Sequence, residues 1–174
     1  MSTDPLTLNV AELMRRPATR KRYEVGIPAV GLTLGGDAAV ADGTPVVVDV
    51  VLESLTDGVT VSGQVRTRWH GTCRRCLGPA EGELVADVYE LYQVHPTSEE
   101  AFAFDGEQLD LAPMVRELVL MELPLAPVCR ADCAGLCPRC GADRNRQPCD
   151  CPADEVDPRW AGLDALRASL EAEH

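Results

Sequence analysis

The chain has 174 residues, 45% of them hydrophobic, and its formal net charge at pH 7 is -12. This composition excludes global disorder, and the negative charge excludes indiscriminate binding of nucleic acid through the whole surface. No run of about 18 apolar residues is present, so no membrane span is predicted. The first residues form a mixed segment rather than a charged and then apolar leader, so we expect a cytoplasmic protein without a secretory signal.

The N-terminal part of the chain predicts little regular structure. Residues 6–10 alternate between apolar and polar side chains and predict a strand, and residues 11–16 then predict a short helical turn that Pro17 ends. Residues 15–22 are predicted to be an exposed basic stretch. Residues 24–44 are rich in Gly, Ala and Val and give no assignment.

An antiparallel meander is predicted from residue 46 onward. Residues 46–55 are rich in β-branched side chains, Asp57-Gly58 is a hairpin turn signal, and residues 59–69 alternate between apolar and polar side chains. Alternation of this kind predicts a strand with one buried face. A third strand is predicted at about residues 82–93.

Two helices are predicted around a cysteine-rich segment. Residues 95–108 indicate an acidic loop, after which Asp110 is expected to cap a helix over residues 111–122. A closing helix is predicted from Asp157-Pro158 onward. Its apolar side would be formed by Trp160, Leu163, Leu166 and Leu170.

These elements predict an α+β fold: an antiparallel β meander with one or two helices, a small C-terminal cysteine-rich zinc module and a closing helix. Residues 1–126 are expected to form the body with a basic N-terminal arm. Residues 127–174 are expected to form the cysteine-rich module and the C-terminal helix.

The cysteines carry the strongest chemical signal. In a chain with no secretory signal, their clustering indicates metal binding rather than disulfides. In Cys137-Pro-Arg-Cys140-Gly141, the two thiolates can share one ion if the backbone between them turns tightly, which Gly141 allows. We expect zinc as the cofactor, in a four-thiolate site that is structural rather than catalytic. The candidate ligands near the C-terminus are Cys129, Cys133, Cys137, Cys140, Cys149 and Cys151.

The sequence does not decide which of two cysteine pairs supplies the other two ligands of this site. One pair lies upstream of the Cys137 knuckle and the other beyond an eight-residue loop after Cys140. A third arrangement gives two complete sites if Cys73 and Cys76 join the leftover pair. On the sequence alone we prefer one zinc ion with spare thiols, because it requires fewer cysteine pairs to meet in space. Disulfides and an iron–sulfur cluster are further alternatives. The competing pairs are Cys129 with Cys133 and Cys149 with Cys151.

Two segments resemble a known family. Cys73-Arg-Arg-Cys76-Leu77 resembles the C-x-R-C-L signature of the YceD family, whose members are also called large ribosomal RNA subunit accumulation proteins. Residues 133–145, the Cys149-Asp-Cys151 pair and residues 157–160 resemble the C-terminal part of many members, although Arg144 stands where a Leu is frequent. The resemblance covers most of the chain. It implies a role in the accumulation, processing or assembly of large-subunit ribosomal RNA, and it implies no catalytic residues.

We therefore expect a non-enzymatic factor that binds large-subunit ribosomal RNA or a ribosomal protein. No nucleophile elbow, phosphate-binding glycine loop or HExxH motif is present, so neither an enzyme nor a small-molecule substrate is predicted. Arginine suits phosphate because its planar fork donates paired hydrogen bonds, and Trp69 is a candidate for stacking on an unpaired base. The candidate nucleic-acid-binding residues are Arg15, Arg16, Arg20, Lys21, Arg22, Arg74 and Arg75.

Two alternatives come from other classes of function. Between Glu81 and Glu122 acids outnumber bases eleven to one, which suits an acidic adaptor that binds a basic protein. Thiolate-rich sites also respond to oxidation, so a zinc- or thiol-based redox-responsive protein is the other alternative.

Overall fold

The computed structural model describes residues 4–99 and 101–151, together with positions 162, 163 and 167. The chain divides into two compact units, Met1–Cys133 and Ala134–His174. All the strands that the structure describes lie in the first unit. In chain order the elements are β1 (Thr7–Asn9), α1 (Ala11–Met14), β2 (Arg20–Pro28), β3 (Ala38–Ala39), β4 (Pro45–Ser54), β5 (Gly58–Thr72), β6 (Pro79–Gln93), β7 (Phe102–Ala103), β8 (Gln108–Asp110) and α2 (Ala112–Glu122).

A six-stranded sheet is the centre of the first unit. Its spatial order is β2-β4-β5-β6-β7, with β3 paired to β5. Every pairing is antiparallel except that of β6 with β7, which is parallel. Strands β1 and β8 form a separate antiparallel pair.

Alternation along β4 places one face of the sheet in the core. Val46, Val48 and Val50 are fully buried, and the residues between them lie on the opposite face. Met114 and Val119 of α2 belong to the same buried cluster. Because burial of a side chain of this kind contributes about 1.5–3 kcal/mol, the sheet and α2 stabilise each other.

The predicted α+β class with an antiparallel meander is confirmed, and the hairpin lies where the Asp57-Gly58 signal placed it. Strand β2 was not predicted; it is formed by part of the basic stretch and the first of the unassigned residues. Its apolar pattern is weak because, among the described residues, it is an edge strand that pairs with β4 alone and packs Tyr23, Val25 and Ile27 against the core. Arg20, Lys21 and Arg22 are therefore held in a sheet.

The N-terminus of α2 differs slightly from the prediction. The helix begins at Ala112, and Leu111 precedes it as the N-cap residue. Asp110 still contributes, because its Oδ1 accepts a hydrogen bond from the Ala112 N–H at 2.9 Å. The predicted acidic loop before it contains β7 and the start of β8.

The middle of β5 requires glycine. Gly63 has a φ of 152°, and a Cβ atom at this position would collide with the carbonyl oxygen of Asp49 on β4. Gly63 pairs with Val50 in the register of the two strands. Glycine therefore allows the close approach of β4 and β5 on which this register depends.

The described part of the second unit is held by turns and by one isolated bridge between Leu136 and Asp143. The predicted closing helix lies outside the described residues, apart from positions 162, 163 and 167, which are helical. Within the described residues, no helix has the length and apolarity that crossing a bilayer requires.

Candidate functional site

Four cysteines of the first unit converge beside the turn between β5 and β6. Cys73 Sγ lies 3.9 Å from Cys133 Sγ, and Cys76 Sγ lies 3.7 Å from Cys129 Sγ. All four sulfurs lie within 4.8 Å of one another, and we name the group the first cluster. Cys73 and Cys133 are buried, whereas Cys129 is exposed. A set of four thiol sulfurs is a donor set for a soft or borderline metal ion.

The turn between β5 and β6 positions the first two thiols. Cys73 N–H donates to the Gly78 carbonyl oxygen at 2.8 Å, and Leu77 N–H donates to the Cys73 carbonyl oxygen at 2.9 Å. Leu77 has a φ of 58°, in the left-handed region that residues other than glycine rarely occupy. This tight turn holds the sulfurs of Cys73 and Cys76 side by side.

The segment after α2 supplies the other two thiols. Arg74 N–H donates to the Pro127 carbonyl oxygen at 2.9 Å. Arg75 Nη1 donates to the carbonyl oxygens of Ala131 at 2.9 Å and Cys133 at 3.2 Å. The guanidinium of Arg75, a predicted nucleic-acid contact, therefore fastens the segment that carries Cys133 to the turn after β5.

The second unit holds another group, which we name the second cluster. Its knuckle repeats the backbone pattern of the first: Cys137 N–H donates to the Ala142 carbonyl oxygen at 2.8 Å, and Gly141 N–H donates to the Cys137 carbonyl oxygen at 2.9 Å. Gly141 has a φ of 72° at the position that Leu77 occupies in the first knuckle. The members, whose sulfurs all lie within 4.8 Å of one another, are Cys137, Cys140, Cys149 and Cys151.

Asp143 and Asn145 order the loop that joins the two halves of the second cluster. Asp143 Oδ1 accepts hydrogen bonds from the Asn145 backbone N–H at 3.0 Å and from Asn145 Nδ2 at 2.7 Å. Asn145 Oδ1 in turn accepts the Ala134 N–H at 2.8 Å. These bonds explain why an Asp and an Asn stand two residues apart after the knuckle.

Backbone N–H groups lower the pKa of one thiol in each cluster. Hydrogen bonds from the N–H groups of Cys76 and Cys129 lower the pKa of Cys73 to about 6. The N–H of Cys140 has the largest part in lowering the pKa of Cys137 to about 6. Both knuckles therefore stabilise a thiolate before any cation is considered.

Other thiols of the same clusters resist ionisation because each of them is hydrogen-bonded to a neighbouring sulfur. Hydrogen bonding with Cys133 raises the pKa of Cys129 to about 12. Hydrogen bonding with Cys140 likewise raises the pKa of Cys151 to about 12. Four adjacent sulfurs can be ionised together at neutral pH only with a cation between them, so the clusters have the chemistry of metal sites.

The grouping corresponds to the two-site arrangement that the sequence left open. Cys73 and Cys76 join Cys129 and Cys133, and the later pair joins the Cys137 knuckle. The preference for a single site with spare thiols does not fit this geometry, since each of the eight thiols belongs to a cluster.

Trp69 forms part of the wall of the first cluster. It is partly buried and packs in the same small hydrophobic cluster as Cys73, Ala80 and Cys133. Its ring covers Gly82 on β6, where a Cβ atom would come within 2.9 Å of the indole nitrogen. The predicted stacking residue Trp69 is therefore engaged in packing within the first unit and is only partly exposed.

Three of the predicted nucleic-acid-binding arginines form ion pairs on the surface. Arg22 makes two hydrogen bonds to its partner, and they hold the pKa of the Asp49 carboxyl below its usual value. Pairing leaves these arginines less available to phosphate, although more than half of each side chain is exposed. The pairs are Arg20 with Glu53 at 2.9 Å, Arg22 with Asp49 at 2.7 Å and Arg74 with Asp37 at 2.8 Å.

The loop between α1 and β2 and the first residues of β2 carry the remaining predicted cations. In the part of the chain that the structure describes, Arg15, Arg16 and Lys21 form no ion pair. Arg16, Arg20 and Lys21 line a cavity of about 290 Å³. Lys21 Nζ also lies 4.9 Å from the centre of the Tyr23 ring. Residues 15–21, which are this loop and the first two residues of β2, are named the basic loop below.

Ser54 fixes the backbone of the basic loop, a contact that the sequence did not predict. Its Oγ donates to the Arg16 carbonyl oxygen at 2.7 Å and accepts the Thr19 N–H at 3.2 Å. Its carbonyl oxygen accepts the Ala18 N–H at 2.9 Å. Ala18 has a φ of 61°, a conformation that persists when the surroundings determine it. The loop is thus preformed. The only feature of the sequence that could have indicated this contact is a serine at the end of a valine-rich strand.

The fold and the clusters define a small α+β protein with two four-cysteine sites, each built on a Cys-x-x-Cys knuckle. The family described as Large ribosomal RNA subunit accumulation protein YceD matches residues 61–167. An uncharacterized protein of Mycobacterium tuberculosis is 36% identical over 170 residues, which cover 91% of this chain and 80% of that relative. The chain belongs to the YceD family.

More distant relatives extend this comparison to plants. An uncharacterized protein of Mycobacterium leprae is 32% identical over 174 residues, covering 94% of this chain and 78% of the relative. Large ribosomal RNA subunit accumulation protein YCED homolog 1, chloroplastic, of Arabidopsis thaliana is 28% identical over 178 residues, covering 82% of this chain and 55% of the relative. No solved structure matches the chain.

Proposed function

We propose that this protein is a non-enzymatic factor for the accumulation of large-subunit ribosomal RNA, in which two zinc ions hold the fold and the basic loop contacts RNA. The family description names large-subunit ribosomal RNA accumulation, and so does the name of the chloroplast relative. The observation that carries the proposal is the basic loop, in which Arg15, Arg16 and Lys21 form no ion pair with the described residues and Ser54 fixes the backbone at Arg16 and Thr19.

Zinc suits the two clusters. Four sulfurs placed tetrahedrally at the usual Zn–S distance of about 2.3 Å lie about 3.8 Å apart. Two contacts across the first cluster match this spacing: 3.7 Å between Cys76 Sγ and Cys129 Sγ, and 3.9 Å between Cys73 Sγ and Cys133 Sγ. Four thiolates leave no open position on the ion, so its role is structural and no hydrolytic chemistry follows from it.

The basic loop suits the phosphate backbone of RNA. Arg15 and Arg16 offer planar guanidinium groups, and Lys21 adds a third cation at the cavity that it lines together with Arg16. A preformed loop loses little conformational entropy on binding, so its contacts give more net affinity than those of a mobile arm. Three phosphate contacts on single-stranded RNA predict a salt dependence with a slope of about -2 in log K against log salt.

The experiment is a titration of fluorescein-labelled fragments of large-subunit ribosomal RNA with the zinc-loaded full-length chain at several salt concentrations. The double variant Arg15→Glu/Arg16→Glu is expected to bind at least about tenfold more weakly, because two phosphate contacts become repulsive. The salt slope is expected to shrink by about 1.4 for the two contacts.

A matched control changes the same charge elsewhere on the first unit. Arg66→Glu/Arg68→Glu alters two exposed arginines of β5 that lie outside the basic loop. This control is expected to bind RNA as the parent does. Equal losses in both double variants would show general attraction to charge, and unchanged binding in the Arg15 and Arg16 variant would remove the basic loop as the contact.

A further inference from the structure

A groove on the first unit lies between α2 and the sheet edge at β6 and β7. Its cavity of about 480 Å³ falls in the size range of ligand sites. Met114, Leu118 and Met121 line it from the helix, at spacings that put them on one stripe of α2. Phe102 of β7 and Glu90 of β6 line it from the sheet. The groove is therefore a defined surface of its own.

The apolar floor of the groove is covered only at its inner end. Met114 is 1% exposed, whereas Met121, two turns further along α2, is 74% exposed. Leu118 between them is partly buried. Methionine is flexible and polarisable, so this stripe offers an apolar surface that adapts to a partner's side chains.

Carboxylates surround this floor. Glu90 comes from β6, Glu99 from the loop before β7, and Glu117 from α2. Within residues 4–99 and 101–151, neither Glu99 nor Glu117 forms an ion pair. Arg116, the one base between Glu81 and Glu122, donates to the Gly31 carbonyl oxygen instead. The charge around the groove therefore favours a cationic ligand with apolar side chains.

The backbone beside the groove is open to a further strand. β7 pairs with β6 only at Tyr92 and Gln93. Among the residues that the structure describes, no strand pairs with the rest of this edge of β6, from Pro79 to Leu91. Unpaired N–H and C=O groups along a strand edge accept an extended peptide by strand addition.

We propose that this groove binds an extended basic segment of a partner protein, one that combines Lys or Arg with aliphatic residues. The segment lies along the free edge of β6, its aliphatic side chains cover Leu118 and Met121, and its cations pair with Glu99 and Glu117. The chain's own residues 152–174 do not match, because they carry six acids and two arginines. The groove shares no residue with the basic loop, so this proposal does not depend on RNA contact.

The test uses a short fluorescein-labelled peptide of Lys, Arg, Leu and Val, titrated with the zinc-loaded full-length chain by fluorescence anisotropy. Glu117→Lys is expected to weaken binding about tenfold, because it sets like charges together at the groove. Met121→Ser is expected to weaken it about threefold through lost apolar contact. Glu122→Lys is the matched control, since it makes the same charge change on the same helix outside the groove, and binding is expected to stay within about twofold of the parent.

Several results would overturn the proposal. They are absence of peptide binding to the parent, equal losses in Glu117→Lys and Glu122→Lys, or equal binding of an arginine-only peptide with no effect of Met121→Ser. A change of sedimentation coefficient in Glu117→Lys would assign the groove to a second copy of the chain and overturn it too. RNA titrations of the same variants separate the two proposals, because Glu117→Lys is expected to keep RNA binding and Arg15→Glu/Arg16→Glu to keep peptide binding.

Discussion

Cys73 Sγ lies 3.9 Å from Cys133 Sγ, although the two residues are 60 positions apart in the chain. Cys73 directly follows β5, and Cys133 lies in the segment that follows α2. A metal ion held by both closes a long loop, whereas the second cluster closes only the short loop between Cys140 and Cys149. Since loop-closure entropy grows with the logarithm of loop length, the ion of the first cluster is expected to stabilise its unit by about 1.5 kcal/mol more.

The two clusters are expected to hold one zinc ion each and to fail independently. The parent should contain two zinc ions per chain, and Cys73→Ser and Cys137→Ser should each retain one, because binding and local folding are coupled at each site. Elemental analysis gives the stoichiometry. Circular dichroism on heating should show a lower unfolding midpoint of the β-sheet in Cys73→Ser and a smaller effect in Cys137→Ser. Loss of both ions in either variant would contradict independent sites.

Metal binding is expected to release protons. Neighbouring sulfurs raise the pKa values of Cys76 and Cys129 in the first cluster and of Cys149 and Cys151 in the second. These four thiols are therefore protonated at pH 7 in the metal-free chain, and each ion should displace at least two protons. The affinity for zinc should then fall about 100-fold for each pH unit of acidification.

Isothermal titration calorimetry of zinc into the reduced, metal-free chain measures this release. Buffers with different ionisation enthalpies give the number of protons per ion from the slope of the observed heat. Cys73→Ser removes one site and serves as the control, because the remaining release belongs to the second cluster. Fewer than two protons per ion would show that the thiols are not coupled as their spacing indicates.

Ser54→Ala is expected to loosen the basic loop without changing its charge. The substitution removes the hydroxyl that donates to the Arg16 carbonyl oxygen and accepts the Thr19 N–H. Loss of a buried hydroxyl with two partners should lower the free energy of unfolding by about 1–3 kcal/mol. RNA affinity should fall by several-fold as well, because the loop must then be ordered on binding. Urea unfolding and the RNA titration measure the two effects.

Ser62→Ala is the control for this change. Ser62 lies on the partly exposed face of β5, and its substitution should leave both stability and RNA affinity close to those of the parent. An Ser54→Ala variant that loses stability but binds RNA with parental affinity would separate the hydroxyl from RNA contact.

Substitutions at the equivalent positions of the two knuckles, Leu77 and Gly141, are expected to differ in their effect on zinc-bound stability. Gly141→Ala places a Cβ at a φ of 72° and should cost about 1 kcal/mol of zinc-bound stability in the second unit. Leu77→Gly relieves a φ of 58° but adds freedom to the unfolded chain, so its net effect should lie within about 0.5 kcal/mol. Competition with a zinc chelator ranks the variants. Weaker zinc retention in Leu77→Gly than in Gly141→Ala would mean that the leucine side chain itself supports the first cluster.

Much of the sheet could be predicted from the sequence because its strong signals are local. The hairpin has a turn dipeptide between a run of β-branched residues and an alternating run, and five of the ten residues of β4 are valine. Strand β2 lacked such a signal, because an edge strand that carries Arg20 and Arg22 outward buries few side chains. Its place is set by pairing with β4, which is a tertiary property.

The metal-binding chemistry of the candidate site could be predicted from the sequence. Which cysteines group together, and which acids pair with the arginines, could be predicted less well. The Cys137 knuckle could be recognised because its turn is local and marked by Gly141. The sequence allowed Cys73 and Cys76 to join a second cysteine pair but could not select Cys129 and Cys133, because that choice depends on where α2 directs the chain afterwards. The ion pairs of the arginines were also out of reach, since Arg22 meets Asp49 through strand register rather than through sequence spacing.

The chain order of the first cluster has a consequence for synthesis. Cys73 and Cys76 leave the ribosome long before Cys129 and Cys133, so this site can close only after the whole sheet and α2 have been made. The cysteines of the second cluster, by contrast, emerge within one short stretch. Metal binding at the first cluster therefore indicates that synthesis of the sheet and α2 is complete. A chain that stalls before residue 129 keeps the thiols of Cys73 and Cys76 unligated and open to oxidation.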